Sequence, residues 1–541
     1  MSLKNEKQTS EVTSVTDIES ASVRNKVFGY EDRLASTLNA RHIGMISVVG
    51  VFGTGLFLSS GGSLSTAGPV GVLLCYFFIG LVVLASQMCA TETACLMPVT
   101  FSYIKHSNHF ISQSFGFAVG WTNIYAAIMP SELSAVAVIM TYWSSLNPAV
   151  WVAVFGIVVV ATNCYKIRWY GEIEFFFGCL KILLVLGLIL IGLIIDLGGV
   201  PGQDRIGFRY WKEGAFNWKY FDSDTGRFIA FWKTLNSVVY SYGGVQGIAL
   251  LAGEVEYPRR AIHRAAKRVF ARCFLMYMST IFVLTLIVSS KDPLIASSTG
   301  NAAGSPFVVA IRRAGIKVLP HIINGVVLTS ALSATNLGVL QSSRALFALA
   351  SIGQAPKIFL KTNRKGMPYY ALLVSVIFLP LAFMSASHAA STVFLWFQSI
   401  TSSHLLVNWI TISLNHIRMS KAMKVQGYTR EDLPYSFPGT TYASWFSLFF
   451  STLLLLTGGF TNFIHGKFYF PSFFSAYFII PLGIVLGIFW GIVKKSFLIK
   501  PEDVDLKTLF DDVKERPEPE YPKLKGWQWL LIRQHFSSYG R

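Results

Sequence analysis

The chain has 541 residues, 52% hydrophobic, 14% aromatic and only 14% charged, with a net charge of +18. Soluble domains carry about 25% charged residues, so this composition excludes an ordinary soluble enzyme, a disordered protein and a coiled coil. The apolar residues fall in runs long enough to cross a bilayer, which takes roughly 20 residues per helix.

In chain order, residues 1–41 are polar, rich in Ser, Thr, Glu and Lys, and lack the apolar core of a signal peptide. They are expected to form a disordered cytosolic tail. About twelve spans follow, at 42–66, 69–97, 113–143, 148–165, 170–197, 229–252, 270–290, 318–350, 369–386, 390–417, 442–464 and 472–494. Residues 495–541 form a C-terminal tail. The expected fold is all-α and polytopic. The expected division is a transport core at 42–417, two further helices at 442–494, and a tail at each end.

The basic residues set the orientation. With the N-terminus in the cytosol, 32 of the 46 Lys and Arg face the cytosol and 10 face outward. Cytosolic loops are the Lys- and Arg-rich ones, so both termini are expected inside. The positive charge is thus topology, and no nucleic-acid partner is implied. The six cysteines lie in or beside apolar runs without metal spacing, and no metal or cofactor is expected. The long outer segment 198–228 is rich in aromatics and reads as a folded loop over the external mouth.

Two spans are interrupted by glycine. Span one holds Gly50-Val-Phe-Gly53-Thr54-Gly55, and span six holds Gly243-Gly244-Val-Gln246-Gly247. Neither run follows a strand, so neither is a nucleotide loop. Glycine runs on the first helix of each half of a repeat point to the binding site of a transporter. Opened backbone there presents N–H groups to a carboxylate and carbonyls to an ammonium. The other reading of Gly53, Thr54 and Gly55 is close helix packing through small residues.

Ionisable residues at membrane depth are costly and mark function. Glu132 lies in the middle of span three and Lys181 about eleven residues into span five. A carboxylate that alternates between charged and neutral forms is a proton carrier, so Glu132 is the candidate coupling acid; the other reading is a static hydrogen bond from helix to helix. Lys181 is either a switchable cation or half of a structural ion pair. Glu172 and Glu174, nearer the start of span five, read as interfacial, and Lys233 in span six reads as snorkelling to the interface. Trp396, Ser399, Thr401, Ser402 and His404 of span ten are candidates for ordinary packing or for a side-chain pocket.

A series of short motifs runs through the chain in order. They include Leu38-Asn-Ala-Arg41-His42, Gly53-Thr54-Gly55-Leu56, Ala67-Gly68-Pro69, Glu132-Leu-Ser and Tyr170-Gly-Glu172-Ile-Glu174-Phe. Ala252-Gly253-Glu254, Pro258-Arg-Arg260, Ser342-Ser-Arg344, Gly353-Gln-Ala-Pro356-Lys357, Gly366-Met-Pro368, His416-Ile-Arg418 and Leu433-Pro434-Tyr435 continue the series. With these motifs the chain resembles the fungal amino-acid permeases of the yeast amino-acid transporter family, within the amino acid–polyamine–organocation superfamily. The match covers about residues 38–495.

The resemblance implies a LeuT-like 5+5 inverted repeat, about 42–197 and 229–417, plus two C-terminal helices. It implies proton-coupled amino-acid uptake across the plasma membrane by alternating access. It carries the substrate carboxylate onto Gly53, Thr54 and Gly55. Tyr242, Gly243, Gly244 and Gln246 at the span-six break and Asn336 in span eight join them as substrate-binding candidates. Glu132 and Lys181 take the proton-coupling role, with Lys181 in the region of a Na⁺ site of sodium-dependent relatives. Implied partners are amino acids, protons, the lipid bilayer and ubiquitin-ligase machinery at the tails, with Lys4, Lys7 and Lys26 as acceptors.

The chain departs from the family pattern at Gln246, where many members have Glu, and at Leu337 and Leu340 in span eight. Loss of that Glu argues against basic amino acids as cargo. A nutrient sensor on the same fold, or a carrier of polyamines or carnitine-like cations, are the alternatives. No nucleophile–base pair emerges, so enzymatic chemistry is not expected.

Overall fold

The computed structural model describes residues 53–124, 128–164, 167–201, 204–244, 257–296, 305–363, 366–466, 468–496 and 498–518. Among these, every regular element is helical. Among the described residues seven helices are long and apolar enough to cross a membrane, and a bent pair, Phe470–Tyr477 with Ile479–Lys494, is so when its two helices are taken together. The N-tail motifs, Gln246 and Ala252-Gly253-Glu254 lie outside the described residues, as do the acceptor lysines Lys4, Lys7 and Lys26.

The described part of span one starts at Gly53, which precedes the single turn Thr54–Phe57. The chain then runs as Ser59–Leu96, interrupted where Gly68 takes φ +79 and ψ 173 ahead of Pro69. That conformation is open to glycine, and proline removes a helix donor, so the pair turns span one into span two. The outer loop fastens on this corner. Asn217 N–H donates to Ala67 O at 3.1 Å, and Val70 N–H donates to Ala215 O at 3.0 Å. A Cβ on Gly68 would lie 2.8 Å from Asn217 N, so no side chain fits.

Span three is described as Gln113–Ile124 and Ile128–Met140, with Leu133, Ala135, Val136 and Ile139 buried in the core. Span five is Ile167–Asp196, beginning three residues before the run at 170–197. In span six a helix covers Asp224–Ser241 and stops at Tyr242, and Gly244 takes φ +89. Helices at Pro258–Ile287, Leu319–Ser351, Ala390–Val425 and Thr440–Thr457 supply spans seven, eight, ten and eleven. Span nine changes from an α-helix at Tyr369–Val376 to a 3₁₀ stretch at Leu379–Ala386.

The C-terminal ends of spans two and ten are tied by polar contacts to the start of span eleven. Glu92, at the end of span two, is fully buried. Its Oε1 accepts from Arg430 Nη2 at 2.6 Å, Phe437 N–H at 2.6 Å and Thr440 Oγ1 at 2.7 Å. Its Oε2 lies 2.7 Å from His416 Nε2. A buried carboxylate persists when donors satisfy it, and these join spans two, ten and eleven. The first part of the C-tail also docks here. Arg259 pairs with Asp512 at 2.7 Å, and Leu506, Leu509 and Phe510 pack with Leu96, Phe110 and Met419.

Candidate functional site

The two helix breaks face span three at one buried carboxylate. Thr54 Oγ1 donates to Glu132 Oε2 at 3.0 Å, and Tyr240 OH donates to Glu132 Oε1 at 2.8 Å. Ser131 Oγ lies 3.1 Å from Tyr240 OH, and so does Thr54 Oγ1. A hydroxyl has one proton to give, so Thr54 and Tyr240 spend theirs on the carboxylate and Ser131 donates to Tyr240. Spans one, three and six thus meet through four side chains separated by up to 186 residues in sequence.

The glycines of span one divide into two roles. A Cβ on Gly53 would sit 3.7 Å from Glu132 Oε1, an ordinary contact that leaves Gly53 beside the acid. A Cβ on Gly55 would lie 2.7 Å from Ser241 Cα. Gly55 therefore lets the backbones of spans one and six touch, which is the small-residue packing role. On span six, Gly243 packs against Leu405 of span ten, whose Cδ1 a Cβ would meet at 3.1 Å.

The remaining candidates are not brought to this carboxylate by hydrogen bonds. Tyr242 donates its OH to Tyr76 O at 2.9 Å and packs with Tyr76 and Tyr277, joining spans two, six and seven. Asn336 Oδ1 accepts from Thr162 Oγ1 and Asn163 Nδ2, each at 2.9 Å, at the end of span four. Gly244 lies three residues past the helix end at Ser241, with φ +89, and Gln246 is outside the described residues. Lys181 is buried and donates to Ser333 Oγ at 3.1 Å. It acts electrostatically on both Glu132 and Glu174.

One expectation changes. Glu174 is buried, not interfacial: the described helix of span five begins at Ile167, which puts Glu174 about two turns inside it. Lys233 reaches the outer loop, where its Nζ donates to Tyr220 OH at 3.1 Å.

Span ten closes the other side. Gln398 accepts from Ser59 Oγ at 3.1 Å and donates to Ser237 Oγ at 3.2 Å, so it bridges the outer halves of spans one and six. Phe394 packs on the Tyr240 ring. His404 Nε2 lies 3.0 Å from Asn408 Nδ2, whereas His404 Nδ1 and Thr401 Oγ1 are buried without a hydrogen-bond partner among the described residues. Trp396 packs with the His388 ring, and Ser399 bonds its own helix. Sequence reading missed Tyr240 and Gln398. The available signal for Tyr240 was its place in the last turn before the Gly243-Gly244 break, where a side chain faces the opened gap.

The amino acid permease family model matches residues 42–500. This chain belongs to the amino acid permease family. The permease is 38% identical to the dicarboxylic amino acid permease of Saccharomyces cerevisiae, covering 93% of this chain and 85% of that one. It is 34% identical to the proline-specific permease of Emericella nidulans, with 91% and 93% covered. Against the lysine-specific permease of Saccharomyces cerevisiae it is 36% identical, with 88% and 79% covered. Among solved structures it resembles the Eremococcus coleocola manganese transporter, with a TM-score of 0.58, 12% identity, and 84% and 94% coverage. That likeness concerns the fold, which is LeuT-like.

Tyr240 gives the permease site a direct test. Tyr240→Phe keeps the ring on Phe394 and removes the hydroxyl between Glu132 and Ser131. A hydrogen bond to a charged group contributes about 1.5–3 kcal/mol, so uptake is expected to fall about tenfold to a hundredfold. Initial uptake rates, corrected for surface level, check this.

Proposed function

We propose that this permease brings amino acids into the cell together with protons, by alternating access across the plasma membrane. The observation that carries the reading is the Glu132 carboxyl, whose hydrogen bonds come from the hydroxyls of Thr54 and Tyr240 on the two broken spans. Hydroxyl protons rotate. Glu132 can therefore gain a proton and become a donor without breaking its network. The carboxyl that binds the proton also binds the helices that must move, which couples its charge to their position.

The substrate carboxylate meets the backbone at Gly53 and Thr54, where Gly53 offers no side chain to cap the helical turn. Its ammonium is taken by carbonyls at the span-six break, where Tyr242, Gly243 and Gly244 end the helix. Gly55 contributes by holding the two spans together. Lys181 serves coupling as the cation in the field of Glu132. Asn336 serves the pocket indirectly, by fixing span eight to span four.

Gln246 offers no negative charge to a cationic side chain. Cargo without a basic side chain follows, which disfavours lysine-like substrates and polyamines. The excess of Lys and Arg on one side places both termini in the cytosol. There the N-tail lysines Lys4, Lys7 and Lys26 serve as acceptors for ubiquitin.

Uptake of labelled amino acids at acidic pH, with unlabelled competitors spanning acidic, neutral and basic side chains plus carnitine and spermidine, tests the substrate class. Acidic and neutral amino acids are expected to compete, and lysine and spermidine not. Absence of uptake, together with a signalling defect on deletion, would support a sensor instead.

A further inference from the structure

Glu174 is the buried acid that the coupling scheme leaves unused. It is 2% exposed and lies two turns before Lys181 on Ile167–Asp196, about 10 Å nearer the cytosolic end. Ser333 of span eight fills the interval. Lys181 Nζ donates to Ser333 Oγ at 3.1 Å, and Ser333 Oγ donates to Glu174 Oε2 at 2.5 Å. The other carboxyl oxygen, Glu174 Oε1, is buried with no hydrogen-bond partner among the described residues. A bare carboxylate oxygen in an apolar interior is costly, and a proton on the group removes most of that cost. The groups that act on Glu174 are the Lys181 ammonium and the Ser333 hydroxyl. Lys181 in turn lies in the field of Glu174 on its cytosolic side and of Glu132 in span three.

The geometry points to Glu174 as a second proton-carrying residue, which takes a proton from Lys181 through the Ser333 hydroxyl and releases it toward the cytosol. This rests on the proton-coupled reading of Glu132. In the transfer, the Lys181 ammonium gives a proton to Ser333 Oγ as Ser333 gives its own to Glu174 Oε2. Lys181 is left as a neutral amine, Ser333 keeps a hydroxyl, and Glu174 becomes a carboxylic acid. A buried ion pair is exchanged for a neutral pair, so the step creates no new charge in a low-dielectric site. The Lys181 amine is then ready for the next proton from the Glu132 side. Glu174 loses its proton to water when the cytosolic side opens.

The test uses the full chain in proteoliposomes loaded with a pH-sensitive dye. Net uptake driven by outside acid is compared with counterflow exchange at equal pH. Glu174→Gln is expected to cut net uptake and its proton flux by about a hundredfold, as for loss of a positioned proton-transfer group, while exchange continues. Glu174→Asp restores part of the net uptake. Ser333→Ala keeps both charges and gives the same split between the two modes, which preserves the test if Glu174→Gln does not fold. Glu172→Gln, exposed on the same helix, changes neither mode. A purely structural role lowers net uptake and exchange together, and that result overturns the proposal. So does a Glu174→Gln protein with unchanged proton flux while Glu132→Gln has lost it. Failure of the underlying reading looks different: the unaltered permease moves amino acid without protons, and the role of Glu174 falls with it.

Discussion

Glu132→Gln is expected to abolish pH-driven accumulation while the permease still reaches the membrane. Gln has the shape of Glu and can keep bonds to Thr54 Oγ1 and Tyr240 OH, because both hydroxyls can turn to donate or accept. It cannot take up and release a proton. One pH unit across the membrane is worth about 1.4 kcal/mol per proton, or a tenfold accumulation ratio. The ratio for the variant is expected to fall to unity, and its uptake no longer to rise as the outside is acidified. Glu132→Asp retains the proton but draws the carboxyl back by one methylene from Thr54 and Tyr240, giving slow but still pH-driven uptake. Steady-state accumulation measured across external pH distinguishes these outcomes. A Gln variant that still concentrates its substrate along the pH gradient removes Glu132 from coupling.

The second large effect separates the two glycines of span one. Gly55→Ala places a methyl 2.7 Å from the Ser241 Cα, and backbone cannot move aside as a flexible side chain would. Spans one and six must part, at a cost typical of overpacking, about 1–3 kcal/mol. A lower melting temperature in detergent and a loss of uptake are expected together. Gly53→Ala instead places its methyl in ordinary contact with Glu132 Oε1, and the extended backbone at φ −109 tolerates it. Its folding is expected to be unchanged, with uptake reduced by crowding beside the acid. Equal melting temperatures for the two variants would contradict the assignment of Gly55 to packing.

The bundle was legible in the sequence because apolar runs and their breaks are local. The Gly68-Pro69 corner, the start of span three at Gln113 and the interruption at Gly243-Gly244 fall where the sequence places them. The break in span six was legible from its glycines, but its start was not: the helix begins at Asp224, five residues ahead of the run that opens at 229. Glu174 was misjudged for a related reason: the helix begins before the apolar run does, at Ile167, so an acid near the run's edge lies well inside. The partners of the site were hidden because each pairing joins distant spans. Nothing near Glu132 in sequence names Tyr240, which is 108 residues away. Nothing near Lys181 names Ser333, 152 residues on. Asn336, a substrate-binding candidate through the resemblance, has partners equally far off, at the end of span four.

Proton entry with the substrate is the most direct test of the account. The purified chain is sealed in liposomes at equal pH on both sides, with a pH-sensitive dye inside, and an amino acid is added outside. The interior is expected to acidify in step with amino-acid entry, and Glu132→Gln to abolish the acidification. Entry of the amino acid at full rate with no change in internal pH would contradict proton coupling at Glu132.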